Sequence, residues 1–241
     1  MSEAPRYTYR PFLITGCGRS GTRYVSDLLT AAKIRTGWEA ILNSQQHPGY
    51  RARDYKWLLR KCWLAGDSNW LAVPYLKRIP SDVVVFQTVR HPLKVIRSML
   101  LLRFFGDDVL QCRWRGNPHH VGVACSLLRG LRLADTARER CMAYWYHWNR
   151  RCETLRKDRG FPGFLYRLED LTDPKKGLAT LNRICQAVSD RPLLTKVPVV
   201  KNVHRMFNRH DRELTWDDLP SGALKDSVRQ LAHDYGYHDD A

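Results

Sequence analysis

The sequence predicts one α/β domain built on a central, mostly parallel sheet flanked by helices. Three observations carry that prediction. Short apolar runs such as Phe12–Thr15 and Val83–Phe86 take turns along the chain with stretches whose apolar residues recur at helical spacing. The runs are continuously apolar, as strands covered on both faces tend to be. The 241 residues, 44% hydrophobic and 11% aromatic, supply a large core and exclude a disordered chain. The domain is expected to span residues 1–241, with 1–10 flexible.

Phe12-Leu13-Ile14-Thr15 reads as a buried strand. From Thr22 the pattern changes, because Val25, Leu28, Leu29 and Ala32 follow a helical period. Lys33 to Glu39 is expected to carry a short second strand, whereas residues 40–80 give no clear period. Val83 to Val89 is the clearest strand. Pro92 then suits the first turn of a helix, striped with Val95, Ile96, Met99 and Leu100. A long helical stretch runs from about Ala124 to Arg159, with Met142, Trp145, Cys152 and Leu155 on its apolar stripe. Phe164-Leu165-Tyr166 is a further strand, followed by a helix carrying Leu178, Leu181, Ile184 and Val188. Leu224, Val228, Leu231 and Tyr235 mark a last helix.

The formal charge is +16, a surplus that attracts polyanions: nucleic acid, an anionic membrane face or a multiply charged small ligand. No stretch approaches the ~20 apolar residues of a membrane span, and Met1 to Arg10 has no apolar signal core. Seven cysteines without a CxxC pair argue against a disulfide framework and a zinc site, so the cytoplasm is the expected address.

Gly16-Cys17-Gly18-Arg19-Ser20-Gly21-Thr22 lies where a strand hands over to a helix. Glycines let the backbone turn tightly and present N–H groups, and the helix N-terminus adds partial positive charge, so an anion site is expected. The letters fit a dinucleotide fingerprint, with Glu39 near the place of its ribose-binding acid. They also fit a Walker frame, but Thr22 directly follows Gly21 and the Walker lysine is absent, which disfavours ATP hydrolysis. Arg19, Ser20, Thr22 and Arg23 crowd the loop with donors, better suited to a terminal reacting anion. A second motif stands where the strand ends. Arg90 is followed eight residues later by Ser98, and helical side chains lean toward the N-terminus, so Ser98 points back toward Arg90. A guanidinium and a hydroxyl together grip one phosphate well.

In this order, GxGRSGT opening a helix and then an apolar strand ending in Val89-Arg90-His91-Pro92 with Ser98 beyond, the two motifs resemble the sulfotransferase superfamily. Tyr166–Leu171 and the closing Leu231–Tyr237 resemble later segments of that family. The resemblance implies a P-loop NTPase-like sulfotransferase fold and 3′-phosphoadenosine 5′-phosphosulfate as co-substrate, with no metal. It implies that Gly18, Arg19, Ser20, Gly21, Thr22 and Arg23 hold the phosphosulfate, Arg19 supporting charge on the bridging oxygen. Arg90 and Ser98 would hold the 3′-phosphate. The arginine in the loop departs from the cytosolic small-molecule branch, which carries lysine there, and looks closer to branches acting on carbohydrates, lipids or protein tyrosine.

Sulfuryl transfer to a hydroxyl needs a proton acceptor, and Arg-type members often place a catalytic Glu where Glu39 stands, just after the second strand. His91 is expected to have a supporting role. His47, His119 and His120 lie in polar loops that could line an acceptor site, and the His119-His120 pair has no partner at metal spacing. Lys196–Arg212 reads as a basic surface loop. The expected partner is a hydroxyl-bearing acceptor, part of the charge surplus suiting an anionic one. The rival readings are a P-loop kinase or hydrolase, a dinucleotide oxidoreductase in which Arg90 and Ser98 have no task, and nucleic-acid binding by a basic face that lacks a reader motif.

Overall fold

The computed structural model describes residues 8–42, 52–105, 134, 136–200 and 213–238. Five strands form the sheet: β1 (Phe12–Gly16), β2 (Thr36–Trp38), β3 (Gly66–Ser68), β4 (Val84–Val89) and β5 (Leu165–Arg167). Every neighbouring pair is parallel, in the order β2-β3-β1-β4-β5, with Gly16 opposite Thr88 at the ends of β1 and β4.

Alternation along the two central strands divides the core. Phe12, Ile14, Val84 and Phe86 face helices α1 (Thr22–Ala31) and α6 (Gly177–Val188), through Val25, Leu28, Leu29, Leu181 and Ile184. Leu13, Val85 and Val89 face the other layer, which holds α2 (Tyr55–Lys61), α3 (Pro92–Leu101), α4 (Ala137–Asp158) and α7 (Ala223–Asp234). The short α5 (Leu168–Thr172) follows β5 directly. Burial on both faces is why Val83–Phe86 is continuously apolar, and the polar Gln87 and Thr88 that follow are buried with their side chains hydrogen-bonded to the Asn149 and Ser20 carbonyls.

The helices after β1 and β4 leave on opposite faces of the sheet, so a crevice opens between the carboxyl ends of these two strands. Open α/β sheets bind their ligands at such a point. The second strand expected within Lys33–Glu39 is β2, and Glu39 follows it immediately. Helix α4 begins at Ala137 under a capping box in which Thr136 and Glu139 exchange hydrogen bonds; residues 124–133 of the expected longer stretch lie outside the described residues. In residues 40–80 the structure places α2, β3 and a 3₁₀ segment, Trp70–Arg78. Among the described residues no helix is long and apolar enough to cross a membrane, and Cys17, Cys141, Cys152 and Cys185 are buried free thiols.

Candidate functional site

The loop after β1 is shaped by two glycines. Gly16 has φ 151°, and a Cβ there would lie 2.1 Å from the Thr88 carbonyl oxygen, so only glycine lets β1 end this close to β4. Gly21, at φ 83°, turns the chain into α1. Neighbouring elements hold the backbone between them. The Gly18 N–H donates to the Tyr144 hydroxyl at 3.1 Å, and the Ser20 N–H to the Cys17 carbonyl at 3.2 Å. The Thr88 hydroxyl donates to the Ser20 carbonyl at 3.2 Å and the Ser68 hydroxyl to that of Thr22 at 2.7 Å. From α4, the Trp148 indole N–H is shared between the carbonyls of Gly16 (3.0 Å) and Trp70 (3.2 Å).

Arg19 stands at the centre of this frame. Its Nε donates to the Ser98 hydroxyl at 2.9 Å, and Arg90 donates to its carbonyl at 3.2 Å. Helix α3 does turn Ser98 back toward the strand end, and the group it meets there is Arg19. The Arg90 carbonyl in turn accepts the Trp145 indole N–H at 3.1 Å. Burial lowers the pKa of both guanidiniums, and the Arg90 charge lowers that of Arg19 further. Two half-buried cations set against each other favour an anion between them.

Glu39 occupies left-handed backbone (φ 51°), as does Arg19 (φ 70°). The described non-glycine residues with positive φ also include Lys33, Trp63 and Arg103, but these three sit just past the ends of α1, α2 and α3. Each closes its helix through paired N–H bonds to the last turn, such as Lys33 to Thr30 and Ile34 to Leu29. Helix termination does not account for Arg19 and Glu39, and sparsely populated backbone of this kind gathers at functional sites. Burial, then the Asp67 charge, raises the Glu39 carboxyl to about 7, against a hydrogen bond from Trp70 and the charge of Arg19.

These residues converge. Gly18, Arg19, Gly21, Thr22, Arg23, Glu39, Arg90 and Ser98 all line one cavity of about 450 Å³ over the β1/β4 crevice. Of the expected donor-binding residues only Ser20 is set back; it is fully buried beneath the loop. No family profile and no curated protein sequence matches this chain. Among solved structures, the sulfotransferase domain of the olefin synthase from Synechococcus PCC 7002 superposes with a TM-score of 0.53, covering 98% of each chain at 16% identity. The fold is sulfotransferase-like.

Other lining residues were not singled out from sequence. Lys94 precedes Ser98 by four residues and shares its helical face, a signal that was available. Leu168, Glu169 and Thr172 line the wall from α5; the likeness of Tyr166–Leu171 to later family segments carried no site role. Glu169 accepts the His91 backbone N–H at 3.1 Å and the Tyr237 hydroxyl at 2.8 Å, joining the end of β4 to the C-terminal segment. The His91 ring is buried against Tyr237 and Trp216. Trp70 and Phe104 close the Glu39 side, and Trp38 flanks it with Arg23 stacked 4.8 Å above its ring. The segment containing Trp70 showed no α-helical period because it is a 3₁₀ run, Trp70–Arg78, with Pro74 inside it. His47, His119, His120 and the stretch 201–212 lie outside the described residues.

Proposed function

We propose that the protein moves a sulfuryl group from 3′-phosphoadenosine 5′-phosphosulfate to a hydroxyl of a small molecule, glycan or lipid by in-line transfer. The observation that carries this reading is the convergence of Arg19, Arg90 and Ser98 with the raised carboxyl of Glu39 on one cavity at the sheet's crevice. The donor's chemistry fits the residues present: a tightly turned glycine loop, a helix N-terminus and a cluster of cations able to meet several negative charges. The sulfotransferase-like fold supports it independently of the motifs.

In this reading Arg90 and Ser98 hold the 3′-phosphate, and Gly18, Gly21, Thr22 and Arg23 surround the phosphosulfate, with the buried Ser20 supporting the loop from beneath. The acceptor oxygen forms its bond to sulfur as the bond from sulfur to the bridging oxygen breaks. Arg19 meets the charge that gathers on that oxygen, where a fixed donor in a partly dry site acts most strongly. Glu39 takes the proton leaving the acceptor hydroxyl. A carboxyl at about 7 is well matched to that task near neutral pH, since enough is ionised and its affinity for the proton is raised. The products are the sulfate ester and 3′-phosphoadenosine 5′-phosphate. No metal is needed to balance the step.

The test is a panel of sugars, lipids, phenols and tyrosine peptides incubated with the protein and the phosphosulfate donor, read by mass gain on the acceptor. Melting temperature with 3′-phosphoadenosine 5′-phosphate, ATP or NAD added separately reads the donor site by mass action. A larger shift with ATP favours a kinase or hydrolase. Salt-sensitive binding to duplex DNA without any nucleotide response favours a basic binding module.

A further inference from the structure

We propose that Asp67 is the residue that positions Glu39: its buried carboxylate on β3 receives the backbone N–H groups of the two residues that follow Glu39 and so fixes the side chain at the cavity. The inference rests on the reading of Glu39 as the proton acceptor. Asp67 is fully buried, and its two oxygens are divided between neighbours in sequence: Oδ1 accepts the Ala40 N–H at 3.0 Å and Oδ2 the Ile41 N–H at 3.2 Å. The Glu39 N–H itself donates to the Ser68 carbonyl at 3.0 Å. Three successive N–H groups, on residues 39, 40 and 41, are thus bound by residues 67 and 68 of β3.

This grip explains how the chain can leave a three-residue edge strand and still hold one side chain in place. Among the described residues β2 pairs only with β3, Gly37 opposite Asp67 and Trp38 opposite Ser68. Beyond Trp38 the ladder stops, and Glu39 enters left-handed backbone that a non-glycine residue keeps only when its surroundings fix it. A carboxylate can hold two adjacent N–H groups at once, because it is acceptor-only at both oxygens. A carboxamide in this position cannot accept one N–H at each end, since one of its ends is a donor. Gly37 belongs to the same device: a Cβ there would lie 2.7 Å from both the Ala40 Cβ and Asp67 Oδ1, so the strand must be bare where the carboxylate passes.

Asp67 also acts through its charge. The titratable and charged groups that bear on Glu39 are Asp67 from β3, Arg19 from the glycine loop and Tyr144 from α4, with Trp70 of the 3₁₀ segment hydrogen-bonded to it. Of the charges, Asp67 pushes the Glu39 carboxyl up and Arg19 pulls it down. One residue therefore fixes where the proton acceptor sits and adds to the burial that makes it hold its proton. No residue of the donor-binding loop is hydrogen-bonded to Asp67 in this arrangement, so its loss is expected to leave the donor site intact.

The test is Asp67→Asn, assayed for kcat, donor KM and pH profile, with the thermal shift by 3′-phosphoadenosine 5′-phosphate as a check on folding and donor binding. A displacement of about 1 Å at a reacting group lowers a rate by about 100-fold. The expected result is a kcat lower by about 10- to 100-fold, an unchanged donor KM and nucleotide shift, and an acid limb moved to lower pH. Gly37→Ala disturbs the same contact without changing charge; it is expected to lower kcat likewise with the acid limb in place, and it carries the test if Asp67→Asn does not fold. Unchanged kcat and pH profile in the folded variants, or equal loss of the nucleotide shift, overturns the proposal. Glu39→Gln distinguishes the parent reading: full activity in that variant removes Glu39 as base whatever Asp67 does.

Discussion

The Nε of Arg19 and the hydroxyl of Ser98 are 2.9 Å apart, a bond that ties the glycine loop after β1 to the helix after β4. The two motifs, far apart in sequence, thus form one device, with Arg90 closing it through the Arg19 carbonyl. An anion entering this corner meets cations already oriented by one another and by the backbone, so little ordering remains to oppose binding.

Arg90→Ala should therefore abolish most of the thermal stabilisation given by 3′-phosphoadenosine 5′-phosphate. Hydrogen bonds to charged groups contribute about 1.5–3 kcal/mol each, equivalent to roughly 10- to 150-fold in affinity. Ser98→Ala should weaken the nucleotide less but also lower kcat, because the Arg19 side chain loses its anchor. Melting curves across a nucleotide titration check the first expectation and steady-state rates the second. An unaltered shift in Arg90→Ala would remove Arg90 from the donor site.

Glu39→Gln should bind the nucleotide normally and lose turnover by about 100- to 10,000-fold, the usual contribution of a general base. In the unaltered protein kcat should rise with pH through a midpoint near 7, where the carboxyl ionises, and the variant should lack that limb. A pH–rate profile over pH 5 to 9 decides this.

How far the sequence disclosed these relationships depended on whether a residue's task leaves a local pattern. β1, β4 and the helices after them were legible because burial on both faces forces continuous apolar runs and helical stripes. Arg19, Arg23 and Arg90 were legible because glycine spacing and strand ends mark where they must sit, whereas Lys94, inside a helix, carries no such mark. β3 was not: Gly66-Asp67-Ser68 has no apolar residue, yet all three are buried, the polar pair by hydrogen bonds to distant backbone. Trp145 shows the same limit. The helical period correctly placed it in the core, but the bond from its indole to the Arg90 carbonyl spans 55 residues and has no sequence signature.

Tyr144→Phe tests one such long-range contact. The mutant keeps the ring but removes the acceptor for the Gly18 N–H, leaving that group without its partner in a buried place. The cost expected is about 1–3 kcal/mol, measurable as a lower urea midpoint with unchanged slope. Because Gly18 belongs to the glycine loop, donor KM should rise as well. A stability loss with unchanged donor KM would show that the bond serves folding alone.

Glu39→Gln also has an opposite consequence, for stability. The folded carboxyl titrates at about 7 against an ordinary 4.5, so the fold favours its protonated form. Below pH 4.5 Glu39 is protonated in both the folded and unfolded chains, and its raised pKa costs nothing. As pH climbs from 4.5 through 7 the unfolded chain ionises first, so stability is progressively lost; above that range the full penalty applies. At about 1.4 kcal/mol for each pKa unit, it approaches ~3 kcal/mol. The glutamine variant escapes the penalty. It should match the unaltered protein near pH 4.5 and exceed it at pH 9, by an amount read from urea unfolding at both values. Gain at high pH with loss of turnover is the signature of a carboxylate kept at the cavity against the interest of the fold, and equal stability at both pH values would show that burial does not hold its pKa up.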